Sequence, residues 1–228
     1  MLFCAAWLAA LPAGAETAVY LAHGRDAALF GRYDVNGFSM EAFPERSGVK
    51  LIVRSVPVKT ARLAVYAPDR STFRLPPAPE RDALAARLSR GKTVEGAVEK
   101  AILDWVASEV SYDADRSLPQ DPVSVFASRK AYCVGFAELA VDLLRRAGIA
   151  AETVQGVLMA DRSMPGYAPE LGGVYHRWVK IYSPARGWRF ADPLGRLGAV
   201  NARYVPFAHR SWTRPEDLHL QKISEGAE

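Results

Sequence analysis

Two stretches decide the fold: 133–148, CVGFAELAVDLLRRAG, and 176–193, HRWVKIYSPARGWRFADP. In the first, Val134, Ala137, Val141 and Leu144 recur at three- and four-residue steps. They line one side of a helix that starts at Cys133, runs to about Ala147 and ends at Gly148, a residue suited to a C-cap. In the second the period falls to two. Residues 176–182 read as a strand, 183–187 have turn composition, and 188–191 read as its antiparallel return. A further run, 151–159, supplies another strand between the helix and this hairpin. A helix followed by an antiparallel meander predicts an α+β class, with helices packed on an antiparallel sheet.

Upstream of Cys133, two more segments carry the helical period. Residues 80–90 place Leu84 and Leu88 on one side and can stop at Gly91. The next helix, with Thr93 as its expected N-cap, carries Val94, Ala97, Val98, Ala101, Ile102, Trp105 and Val106. It leads into Ser111-Tyr112-Asp113 and a polar loop holding Pro119 and Pro122. Before residue 76 the signals are those of β structure: 30–35 and 38–43 flank Asn36-Gly37, a hairpin dipeptide, and 49–56 and 62–66 read as short strands. Pro76-Pro77-Ala78-Pro79 separates the two regimes. The expected organisation is a β-rich N-terminal region over 16–78 and a helix-and-sheet domain over 79–228.

Residues 1–15, MLFCAAWLAALPAGA, carry no charge and finish in Ala13-Gly14-Ala15. They read as a secretory signal peptide without its usual basic start, the plainer alternative being an apolar N-terminal strand or helix; a membrane span would need roughly 20 apolar residues. The expectation is an exported protein, periplasmic or extracellular, with no integral membrane segment. Cleavage there removes Cys4 and leaves Cys133 as the single thiol, which excludes an internal disulfide. The chain has 228 residues, half of them apolar, and a net charge of +4, the balance of a folded globular protein. Its 22 arginines are scattered rather than gathered into a basic stripe, which argues against nucleic acid as a partner. There is no HExxH, Walker loop or EF-hand pattern, so no cofactor or metal is expected, and Asp113 and Asp115 read as a solvated loop.

Cys133 opens its helix, where unpaired N–H groups and the helix dipole favour a thiolate, and Arg129 and Lys130 precede it with positive charge. A thiol nucleophile needs a base and the base an orienting partner. If Tyr182 faces Trp188 across the hairpin, Asp192 becomes the diagonal neighbour of His176 on one face of the sheet, close enough for imidazole and carboxylate to meet. Each residue alone also has a plain structural role: a buried cysteine, a strand-end histidine, a turn aspartate ahead of Pro193. Together they form the constellation of thiol-dependent acyl transfer.

In this order and spacing, Trp105-Val106, Tyr112-Asp113, Cys133-Val134-Gly135-Phe136-Ala137, Leu143 to Ile149, His176-Arg177-Trp178 and Asp192-Pro193 resemble the transglutaminase-like superfamily of thiol enzymes, over roughly residues 80–195. Ala131, Arg177 and Ala150 depart from residues common in that family without removing a reactive group. The resemblance implies a papain-like core with Cys133 as nucleophile, His176 as general base and acid, and Asp192 as its orienter; for Tyr112 two readings stand, a second oxyanion donor by family analogy or an ordinary core or surface tyrosine. The implied function is acyl transfer on peptide or glutamine amides, by hydrolysis or cross-linking. The alternative is an exported module that binds a peptide or cell-envelope component without turning it over.

Overall fold

The expected core helix forms as α4 (Cys133–Arg146), and its Phe136, Leu139, Leu143 and Leu144 are all but inaccessible to solvent. Gly148 takes φ 78° just past its end, the left-handed conformation that a side chain resists. The structure is a computed structural model and describes residues 14–23, 27–58, 65–68, 73–160, 162–194, 200–208 and 218–227. The signal-peptide segment up to residue 13 and residues 62–64 of the expected fourth strand lie outside these. Around α4 pack α1 (Pro79–Ser89) and α2 (Glu95–Glu109), joined by a short α3 (Pro122–Ser128). Thr93 does not cap α2; Val94 occupies the N-cap position, with no side-chain bond. The α2 stripe also includes a charge that periodicity did not mark: Glu99 is fully buried, bonded to Arg189 and 3.6 Å from Arg186.

Four strands, in the order β10-β7-β8-β9, form the sheet beneath the helices: β7 (Ala151–Met159), β8 (Gly173–Ser183), β9 (Gly187–Ala191) and β10 (Tyr204–Pro206). The hairpin register is the expected one, since Tyr182 pairs with Trp188 and the ladder closes at Val179 and Ala191. A second sheet of five strands, ordered β11-β1-β4-β3-β2, holds β1 (Glu16–His23), β2 (Tyr33–Val35), β3 (Phe38–Glu45), β4 (Gly48–Ser55) and β11 (His219–Ala227). Val35 pairs with Phe38 across the Asn36-Gly37 turn, where only Gly37 takes positive φ, at 88°. A type I′ turn needs positive φ at both central residues, so this turn, positive at Gly37 alone, is not of that type.

Two apolar clusters show the layering. One joins helix residues such as Ile102, Leu139 and Leu143 to Val179, Ile181 and Ala191 of the four-stranded sheet. The other joins Tyr20, Met40 and Leu51 of the five-stranded sheet to Trp178, Phe190 and Tyr204 of the four-stranded one. The four-stranded sheet is therefore the middle layer. The last strand, β11, pairs with β1, so the five-stranded sheet draws on chain from both sides of the prolines. The proline segment is itself fastened to α4. The nearly inaccessible Arg146 donates to Pro76 O (3.1 Å), Asp142 (2.8 Å) and Asp82 (2.6 Å).

Candidate active site

Cys133 stands at the N1 position of α4, after Tyr132 in extended conformation and with no cap from its own neighbourhood. The cap comes from Gln120, whose Oε1 accepts from the Tyr132 N–H (3.1 Å) and the Gly135 N–H (3.0 Å). These are two of the orphan donors of the first turn. Gly135 is required there: a Cβ would stand 2.7 Å from Gln120 Oε1, Ala131 Cβ and Val125 Cγ2. Upstream, Asp121 caps α3 by accepting from Val123 and Ser124, with Pro122 in the first turn. The expected polar loop is thus partly helical, and Asp121-Pro122 is the sequence signal that marks it.

The chain then turns at Arg129 in the left-handed region (φ 57°), with its guanidinium over the rings of Trp105 (4.5 Å) and Phe126 (4.3 Å). From there β6 (Lys130–Ala131) runs parallel to β5 (Ser111–Tyr112), pairing Tyr112 with Ala131 two residues before the thiol. Arg129 and Lys130 do not supply the positive charge expected at Cys133. The first is stacked on aromatics, and the second points 3.9 Å from Asp113. Arg116 and Arg177 line the cavity at Cys133 instead.

His176 lies on β8 beyond the last β8–β9 pair, almost completely buried. Its Nε2 donates to Asp192 Oδ2 at 2.7 Å. The same oxygen accepts from the Tyr204 hydroxyl at 2.8 Å, and Asp192 Oδ1 accepts from the Leu194 N–H at 3.0 Å. Trp178 stacks beside the imidazole (centroids 6.0 Å, 21°) and meets the Tyr204 ring edge-on (5.2 Å, 78°). Gly156 on β7, opposite His176, makes room for this: a Cβ there would stand 2.7 Å from the Trp178 ring.

Burial works against a charged imidazole. The hydrogen bonds and charges of Asp192 and Cys133 outweigh it and hold the His176 pKa at about 9, above its ordinary 6.5. Because Nε2 is committed to Asp192, Nδ1 is the nitrogen left for Cys133. The three residues singled out in sequence thus come together, with a partly exposed thiol. Tyr112 is close as well: its pKa is raised, first by burial and then by the Cys133 sulfur, so its hydroxyl keeps its proton as a donor. Arg177 points to Glu138 (2.9 Å) and Gln155 (2.9 Å), and burial lowers its pKa. Sequence reasoning missed Gln120 and Tyr204. Neither sits in a motif, and each acts through a contact with chain far from it.

The cavity beside Cys133 and His176 has a volume of about 610 Å³; its walls include Tyr112, Tyr132, Met164 and Val174. Among the described residues no three or more His, Cys, Asp or Glu side chains gather where a metal ion could sit. Asp115 accepts from the Ser117 N–H (2.9 Å) and hydroxyl (2.7 Å), as a loop residue does.

Residues 82–193 match the family model of the transglutaminase-like superfamily. No curated protein matches the chain. Among solved structures, a candidate cysteine protease from Cytophaga hutchinsonii aligns over 94% of this chain and 88% of its own, with a TM-score of 0.53 at 16% identity. The periplasmic domain of TgpA from Pseudomonas aeruginosa aligns over 82% of this chain and 88% of its own at 18% identity, with a TM-score of 0.43, too loose a likeness to add to the fold. Over residues 82–193, from the first turn of α1 to the Asp192-Pro193 turn, this chain matches the core of the transglutaminase-like superfamily.

Proposed function

We propose that the protein is a thiol-dependent acyl-transfer enzyme acting on peptide or glutamine amides through Cys133, His176 and Asp192. The observation that carries the reading is the buried 2.7 Å bond from His176 Nε2 to Asp192, which leaves Nδ1 for the one free thiol among the described residues. The Cys133 thiolate attacks the amide carbonyl carbon and the C–S bond forms. The negative oxygen is held by the Cys133 N–H, with the Tyr112 hydroxyl as second donor. The C–N bond then breaks as His176 gives its Nδ1 proton to the leaving amine. Water or a second amine attacks the thioester and returns a proton to His176, and the thiolate departs. Asp192 fixes the imidazole in the tautomer that can do this and faces the imidazolium that forms.

Export of the enzyme is part of the proposal and rests on the composition of residues 1–15. Among the described residues no helix is long and apolar enough to cross a membrane. The substrate proposed is a peptide or protein, including a peptide component of the cell envelope. Mass spectrometry after rapid acid quench tests the chemistry. An acyl adduct on the Cys133 peptide, absent in Cys133→Ala, is expected from an activated glutamine or peptide ester. Failure of any such donor to acylate the thiol overturns the reading in favour of a binding cleft.

A further inference from the structure

The walls of the Cys133 cavity carry Arg116, Arg177 and His176 but, among the described residues, no aspartate or glutamate. Tyr112, Tyr132 and Tyr175 add phenol groups to the same walls. Arg177 is engaged by Glu138 and Gln155, which leaves its charge largely answered within the protein. Arg116 is not: it forms no ion pair among the described residues, and its guanidinium lies over the Tyr132 ring at 5.5 Å, directly before Cys133 in the chain. Its charge is also felt at the Tyr112 hydroxyl. A guanidinium stacked on an aromatic face keeps its N–H edge free for a carboxylate, which it can meet with two parallel bonds. Beside it, Met164, Pro165 and Val174 offer an apolar wall.

We propose that the acyl donor is an acidic peptide, with a carboxylate next to the reacting amide that docks on Arg116 and an aliphatic part that lies against Met164 and Val174. The inference rests on the proposed function in treating this cavity as the acyl-donor site. A low-dielectric wall with one sign of charge concentrates ligands of the other sign and penalises cationic ones, so the selection acts on both affinity and encounter rate. A neutral or basic peptide leaves the Arg116 edge unanswered. An acidic one completes it.

The test is binding, so that it does not depend on turnover. Two acetylated tetrapeptide amides, identical except for glutamate or glutamine beside the acyl-donor residue, are titrated calorimetrically into Cys133→Ser. The acidic peptide is expected to bind about tenfold more tightly at low ionic strength, the size of one charge-assisted pair at a partly wet site. The preference should shrink toward parity in ~0.5 M salt, where exposed charges are screened. In Cys133→Ser with Arg116→Gln the preference should vanish, and with Arg116→Glu it should invert. Equal affinities in the parent variant, or binding of neither peptide, overturn the inference. A chain that acylates Cys133 without this preference keeps the proposed function and loses the inference. A chain with the preference that never acylates loses the proposed function and the acyl-donor inference with it, and leaves a cleft that binds acidic peptides.

Discussion

Replacing Asp192 by asparagine keeps the shape of the side chain and removes its charge, and the structure says what should follow. His176 sits at about 9 although it is buried, so the imidazolium is favoured by about 3 kcal/mol over an ordinary histidine after burial has taken its toll. Asp192 supplies the larger part of that, and the burial penalty stays when it goes. The asparagine keeps an oxygen for the Leu194 N–H, but its NH₂ then faces both the His176 Nε2 and the Tyr204 hydroxyl. An NH₂ cannot accept, so the ring moves its proton to Nδ1 and presents the wrong tautomer to Cys133. The alkaline limb of kcat/KM, near pH 9 in the wild type, should fall below pH 7. The rate at neutral pH should drop on the order of 10²- to 10³-fold, less than the ~10⁴ seen when a serine triad loses its carboxylate. The same shift has a stability signature. Because the folded pKa lies above the unfolded one, the stabilisation is complete below about 6.5 and is lost as pH rises through 9. The wild-type Tm should therefore fall across that window more than that of Asp192→Asn. Steady-state profiles on an activated glutamine ester and thermal melts at each pH provide the assay. An alkaline limb that stays in place, with turnover within twofold, would refute the reasoning and return Asp192 to the role of a turn residue.

Three further outcomes follow from the geometry. Tyr204→Phe removes one donor from Asp192 Oδ2 and concentrates charge on the oxygen that holds His176; the alkaline limb should move up by a fraction of a pH unit while Tm falls slightly, and an unmoved limb would mean that Tyr204 only packs. Gly135→Ala drives a methyl into Gln120 Oε1, Ala131 and Val125, and should cost about 1–3 kcal/mol in urea unfolding together with much of the activity; a neutral effect would show that Gln120 does not seat the start of α4. A fragment beginning at Arg81 should fail to give a cooperative melt, because the face of the middle sheet bearing Trp178 and Tyr204 would lose Tyr20, Met40 and Leu51; a sharp melt would make 79–228 an independent unit.

What was legible in sequence was what short-range periodicity and hairpin arithmetic can carry. The pairing of Tyr182 with Trp188 depends only on turn composition, and that one register puts Asp192 beside His176. The start of α4 was legible from the stripe Val134, Ala137, Val141 and Leu144. Residues whose role comes from a distant partner were not. Gln120 matters because its amide reaches the first turn of α4, and Tyr204 because a three-residue strand lays it on Asp192. Along the chain the charge of Arg129 lies close to Cys133, but a left-handed turn swings it onto Trp105 instead. Glu99, with Glu95 one turn before it, sits on the buried face of α2 among Val98, Ile102 and Val106 because arginines from the β9 hairpin meet it there. No local window contains that fact.

The pairing of β1 with β11 sets an order of events. Glu16 lies opposite Ala227, so during synthesis β1 gains one of its two neighbours only once the chain as far as Ala227 is made. Contacts so distant along the chain are slow to close and dominate the contact order of the fold. Until then the outer edge of β1 is a row of unpaired backbone groups, open to any other extended segment. A chaperone that shields this edge, or passage across a membrane as an unfolded chain, would keep nascent copies from pairing with one another. Overproduction at high temperature, where that interval is crowded, should send the protein into inclusion bodies through this strand rather than through the helices around Cys133.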